Sequence, residues 1–133
     1  MKILIVGEQA RPHALAGALE SAGVDVERPP KGAFGAAHDE EVGELATALI
    51  AFERLLADHA PDAVLLVSGS NLALAAVLVA TKLQVPVAAL VDTAVGADDV
   101  PEMNRRLIAR LADGTVACDA ETIAASLRDL VAA

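Results

Sequence analysis

Residues 61–113 read PDAVLLVSGSNLALAAVLVATKLQVPVAALVDTAVGADDVPEMNRRLIARLAD. An apolar run from Ala63 to Val67 ends in the turn Ser68-Gly69-Ser70-Asn71, and a segment from Asn71 to about Leu83 follows that is apolar on nearly every side. A second run spans Pro86 to Val91, and Pro101 then opens an amphipathic stretch. The rhythm is strand, helix, strand, helix. A strand without alternating polar residues is buried on both faces, as a parallel sheet requires when helices cover both of its sides. A helix apolar all round is buried as well. The stretch therefore predicts a three-layer α/β domain.

The flanking sequence extends the same pattern. Lys2 to Val6 (KILIV) is a first strand ending at Gly7. A helix follows from Arg11 and Pro12 to about Ala22, where Gly23 stops it. Val24 to Glu27 is a short, half-polar second strand suited to an edge, and residues 28–39, rich in Pro and Gly, form the one irregular segment. Glu40 to His59 is a helix, for which Val42, Leu45, Leu49, Phe52 and Leu56 are the expected buried stripe. In the helix after Pro101, Met103, Leu107 and Leu111 are expected inward, with Arg105, Arg106 and Arg110 at least partly in solvent. Gly114 is expected to end that helix, and Thr115 to Cys118 to form a fifth strand. Asp119 caps a last helix carrying Ile123, Leu127, Leu130 and Val131 on one side. Five strands joined by right-handed crossovers give a doubly wound parallel sheet, Rossmann-like or flavodoxin-like, in the order 2-1-3-4-5. Its topological switch lies between strands 1 and 3, where the loop at Gly7 meets the turn at Ser68. One domain accounts for all 133 residues.

Composition narrows the function classes. Hydrophobic residues make up 55% and aromatics 2%, with no Trp or Tyr, so Ala, Val and Leu must build the core. No aromatic platform is left for stacking on a base or a sugar. A net charge of −9 argues against nucleic acid or an anionic membrane as partner; it serves solubility. Cys118 is the single cysteine, which fits a reducing compartment. The apolar run after Lys2 is too short for a signal peptide, and Leu72 to Ala80 falls short of the ~20 residues of a membrane span. The expectation is a soluble, cytoplasmic protein.

Ligands of such sheets bind beyond the carboxyl ends of the strands. The polar residues there are Glu8, Gln9 and Arg11 after strand 1, Ser68, Gly69, Ser70 and Asn71 after strand 3, and Asp92 and Thr93 after strand 4. The first N–H groups of the helix after Ser70 can hold an anion, with Arg11 supplying charge. Small polar residues equally serve as ordinary helix caps, so both readings stand. Glu102, in the first turn of its helix, is the acid/base candidate, with Asp92 as a partner carboxylate. A carboxylate there also suits the helix dipole. No dinucleotide or nucleoside-triphosphate fingerprint occurs, nor any nucleophile-elbow motif. His13, His38 and His59 lack carboxylate or Cys118 partners at metal-ligand spacing, and no cofactor is implied.

The stretches PDAVLLV, LALAAVLVATKLQVPV and PEMNRRLIARLAD, with EVGELATALIAFERLLADHAPD upstream and MKILIVG followed by Arg-Pro at the start, closely resemble the N-terminal domain of the non-hydrolysing UDP-N-acetylglucosamine 2-epimerases. The resemblance covers nearly the whole chain, and PEMNRRL is its most specific part. It implies a Rossmann-like lobe that, in the family, pairs with a second lobe supplying most of the uridine diphosphate site and a catalytic His. A chain of this length has no room for that lobe. The family's HGD Asp falls on Ser70, or on Gly69 with the gap moved. The Glu of its HVEAG falls on Val91, with Asp92 one place later. Glu102, Asn104 and Arg105 are retained, and Arg11 matches the family's phosphate-binding Arg after a two-residue insertion. Ala16 stands where a further basic residue is found, and the TGQH region has no counterpart.

Three functions follow from this resemblance. The first is a module without catalysis of its own, binding a nucleotide sugar, another small anion or a protein partner. The second is half of an isomerase completed in trans by another chain. The third is a structural role, such as a homodimer.

Overall fold

The computed structural model describes residues 1–7, 11–30, 32–34, 41–67, 70–90, 102–116 and 119–133, with the backbone alone at 11–14, 41 and 102. The elements are β1 (Lys2–Val6), α1 (Arg11–Ser21), β2 (Asp25–Glu27), α2 (Glu41–His59), β3 (Ala63–Leu66), α3 (Asn71–Lys82), β4 (Val87–Leu90), α4 (Glu102–Leu111), β5 (Gly114–Val116) and α5 (Ala120–Ala132). The five strands form one parallel sheet in the order β2-β1-β3-β4-β5.

Side chains alternate across each strand, so the apolar runs feed two cores. Leu4, Val6, Val64, Leu66, Val87 and Ala89 face the layer of α2, α3 and α4, where they pack with Phe52, Val77 and Ile108. Ile3, Ile5, Ala63, Leu65, Ala88 and Val116 face α1 and α5, against Leu19, Ile123 and Leu127. On the first side α3 packs against both α2 and α4, and its Ala73, Ala75, Ala76 and Ala80 let it sink towards the sheet. Among the described residues no helix is long and apolar enough to cross a membrane.

The amino edge of the sheet is closed twice by one device. Asp62, just before β3, donates its N–H to Lys2 O at 2.8 Å and accepts the Lys2 N–H on Oδ2 at 2.7 Å. Asp113, just before β5, does the same to Val87, with both bonds at 2.8 Å. Each aspartate thus satisfies both backbone groups of the residue that opens the neighbouring strand.

Several expectations are corrected. Val42 is 79% exposed; the inward residues of α2 are Ala48, Phe52, Leu55 and Leu56, with Leu45 and Leu49 packed at their margin. Met103 and Leu107 are 68% and 41% exposed, and α4 instead turns Asn104 and Ile108 inward, with Leu111 beside them. Met103, Leu107 and Leu111 at i, i+4 and i+8 and Asn104, Ile108 and Leu111 at i, i+4 and i+7 are neighbouring stripes of this helix, and the partner of Asn104 on α3 selects the less apolar one. On α5, Ile123 and Leu127 are buried and Leu130 packs at their margin, while Val131 is exposed. α4 ends at Leu111, and Gly114 opens β5 rather than closing the helix. Pro101 and Cys118 lie outside the described residues.

Candidate functional site

Right-handed crossovers in a parallel sheet return every helix antiparallel to the strands, so the amino ends of α1, α3 and α4 lie at the sheet's carboxyl edge. The switch between β1 and β3 is there, because the chain leaves β1 towards β2 and leaves β3 towards β4. Positive helix ends and unpaired N–H groups favour an anion at such an edge.

Ser70 is the N-cap of α3. Its backbone is extended, with φ −67° and ψ 171°, and its hydroxyl accepts the Ala73 N–H at 3.3 Å. Asn71 follows as the first helical residue, and its Oδ1 accepts a hydrogen bond from Asn104 Nδ2 at 2.9 Å. Asn104 is 4% exposed, the one buried polar side chain among the described residues. Its position in the first turn of α4 brings the starts of α3 and α4 together at one amide pair, buried on the Asn104 side and half-buried at Asn71. Beside it Arg105 is half-buried, and its Nε is enclosed without a hydrogen-bond partner among the described residues.

The other expected site residues divide into two groups. Arg11 is the first residue of α1 and Glu102 the first of α4, which puts both backbones at the carboxyl edge. Glu8, Gln9, Ser68, Gly69, Asp92 and Thr93 lie outside the described residues. The structure therefore joins Asn71 to Asn104 next to Ser70, and the expected meeting of Arg11, Ser70, Asp92 and Glu102 involves side chains of which only that of Ser70 is described.

A second polar cluster escaped the sequence reading, which left His59 without a carboxylate. His59 Nδ1 lies 2.6 Å from Glu27 Oε2, without the alignment of a hydrogen bond. Lys2 Nζ donates to His59 O at 3.0 Å and stands 3.6 Å from Glu27 Oε1. The parallel register pairs Leu4 with Glu27 and Lys2 with Asp25, so Lys2 and Glu27 point to the α2 face, where α2 ends at His59. Only that register, absent from the sequence, reveals the cluster. It fastens the edge strand β2 to β1 and α2, and among the described residues no group of His, Cys, Asp and Glu fits a metal ion. A cavity of about 380 Å³ lined by Thr81, Gln84, Pro86, Asp113 and Leu130 lies near the starts of β4 and β5 and the end of α5, away from the candidate site. The acidic side chain in its lining, Asp113, is engaged with the Val87 backbone.

No protein-family model matches the chain, and no curated protein does so either. Solved structures do. UDP-GlcNAc 2-epimerase from Methanocaldococcus jannaschii superposes with a TM-score of 0.69 at 21% identity, covering 97% of this chain and 42% of that one. S. aureus MnaA in a co-structure with UDP gives 0.67 at 20% identity over 96% and 40%. The Neisseria meningitidis UDP-GlcNAc 2-epimerase bound to UDP-GlcNAc gives 0.65 at 19% identity over 95% and 44%. The chain thus spans about two fifths of the length of these epimerase structures. Its five-stranded doubly wound fold is the fold of a part of UDP-GlcNAc 2-epimerases, extended over almost every residue of this chain.

Proposed function

We propose that the chain is an epimerase-like lobe that binds a small anionic ligand, foremost a nucleotide sugar, at the carboxyl edge of its sheet and does not epimerise it unaided. The observation that carries this reading is the meeting of the capped start of α3 with the start of α4 through Asn71 and Asn104, next to the β1/β3 switch. Arg11, Ser70 and the first N–H groups of α3 are proposed for the charged part of the ligand, with Glu8, Gln9, Ser68, Gly69 and Thr93, which lie outside the described residues, as candidate contacts. Arg105 adds charge next to Asn104. That matched structures hold UDP or UDP-GlcNAc supports the ligand class.

Epimerisation by elimination and re-addition needs more than one positioned acid or base. Asp92 and Glu102 are the acid/base candidates of this chain, and the family's HGD acid is replaced by Ser70, or by Gly69 with the gap moved. Calorimetry with UDP-GlcNAc, UDP and phosphate, run beside an assay for the 2-epimer, tests the reading. Heat of binding with UDP-GlcNAc and no epimer is expected. No response at millimolar nucleotide rejects the ligand, and epimer formed by the chain alone rejects its inactivity.

A second reading, an isomerase half completed in trans, draws on the two-fifths coverage of the matched structures. It expects turnover only after a second chain is added, and loss of that turnover in Glu102→Gln.

A further inference from the structure

We propose that the cavity at the amino edge of the sheet is a second binding site, separate from the carboxyl edge, and that it takes a small organic cation, an ammonium group on a short apolar stem. Its volume, about 380 Å³, is in the range of small-molecule pockets. Val85, Pro86 and Leu130 give it apolar walls, and Thr81, Gln84 and Asp113 supply polar groups. Such a lining suits a molecule that is apolar along its body and charged at one end, as the stem and head of a lysine side chain are.

Charge sets the sign of the ligand. Asp113 is the ionisable side chain in the lining, and its Oδ2 accepts the Val87 N–H at 2.8 Å. A carboxylate offers about four acceptor positions on its two oxygens, so this bond leaves capacity for an ammonium donor. A bond of that kind, with charge on both partners, is about twice as strong as a neutral one. Backbone dipoles act in the same direction. α3 ends at Lys82 and α5 at Ala132, and both run against the strands, so they turn their negative ends to the edge where the cavity lies. Lys82, the basic residue on the last turn of α3, is exposed and is not part of the lining. The chain as a whole carries −9, which draws cations to its clefts and keeps anions away. Gln84 adds an amide. It stands at φ 60°, a left-handed backbone that glycine adopts at lower cost. Asp62 offers an internal comparison: it closes the neighbouring strand by the same pair of backbone bonds and has no place in this lining. The site rests on these groups alone and is independent of any nucleotide at the carboxyl edge.

Amide chemical shifts of the isotope-labelled full chain, followed during titration with n-butylamine, n-butanol or butyrate at neutral pH and constant ionic strength, test the proposal. Butylammonium is expected to bind with a Kd of about a millimolar or tighter and to move Thr81, Gln84, Val85 and Asp113 together, the alcohol and the carboxylate binding at least about ten-fold more weakly. Asp113→Asn keeps an acceptor for the Val87 N–H and should weaken the amine by about ten-fold or more. Asp62→Asn, the same change on the twin aspartate, should leave amine binding unchanged. Gln84→Gly suits the left-handed backbone, so its thermal midpoint should equal or exceed that of the wild type while the amine binds about three-fold more weakly or worse. No movement of these amides at high millimolar amine overturns the proposal, as does an equal response to the alcohol or to butyrate, or amine binding indifferent to Asp113→Asn. Equal weakening by Asp62→Asn overturns it as well, since it would mark diffuse charge attraction rather than a site. Should circular dichroism show Asp113→Asn unfolded, Gln84→Gly decides alone, and amine binding unchanged in it overturns the proposal.

Discussion

Asn104 Nδ2 and Asn71 Oδ1, 2.9 Å apart, form the part-buried side-chain hydrogen bond that joins α4 to α3. Leaving one amide without its partner in a buried place costs about 1–3 kcal/mol, whereas removing both partners costs less. Asn104→Leu is therefore expected to lower the unfolding free energy by about 1–3 kcal/mol, and Asn71→Leu combined with it to recover part of that loss. Urea denaturation of the two single variants and the double variant checks this; additive losses would show that the amides act separately. At the start of α5, the Thr122 hydroxyl donates to Asp119 Oδ2 at 2.6 Å and the Thr122 N–H at 3.1 Å. These bonds, the hydroxyl first, hold the Asp119 carboxyl below its ordinary value. A carboxyl lowered by folding stabilises the fold above its unfolded pKa, and that contribution fades as pH falls through the folded value. Asp119→Ala should therefore be less stable than wild type at neutral pH and converge on it below about pH 4, as denaturation midpoints across the acid range would show.

At the scale of elements, the paired aspartates at the sheet's amino edge explain how short strands keep their register. β5 has three residues, and Asp113 fixes its start by bonding to both backbone groups of Val87, as Asp62 fixes β3 to Lys2. Asp62→Ala and Asp113→Ala should each cost about 1–2 kcal/mol. The two sites lie about two strand spacings apart, so their losses should add, and a double variant in urea denaturation tests both points. The same scale shows why reading helices by their most apolar stripe succeeded for α3 and failed for α4. α3 is enclosed by the sheet, α2 and α4, so every apolar face finds a partner. Among the described residues α4 packs against the helix α3, and its rotation is set by Asn104 reaching Asn71, which leaves Met103 and Leu107 outside.

For the whole molecule, the unbroken runs AVLLV and VPVAALV, the Pro and Gly punctuation and the caps at Ser70 and Asp119 are local signals. They specify ten elements, a parallel sheet and the order β2-β1-β3-β4-β5, because strand burial, crossover handedness and capping depend on residues near one another in the chain. Of the candidate site, the carboxyl edge follows from topology, Ser70 and Asn71 were named from their places at that edge, and Asn104 was named from the family resemblance. That Asn71 and Asn104 bond each other, that His59 meets Glu27 beside Lys2, and that Val42 and Met103 face solvent were decided only in three dimensions. The sequence by itself determined which segments are strands and helices and how they wind, since periodicity and turn chemistry are short-range. Tertiary structure alone decided the rotation of each helix about its axis and the long-range polar partners, because both depend on register and packing between segments far apart in the chain.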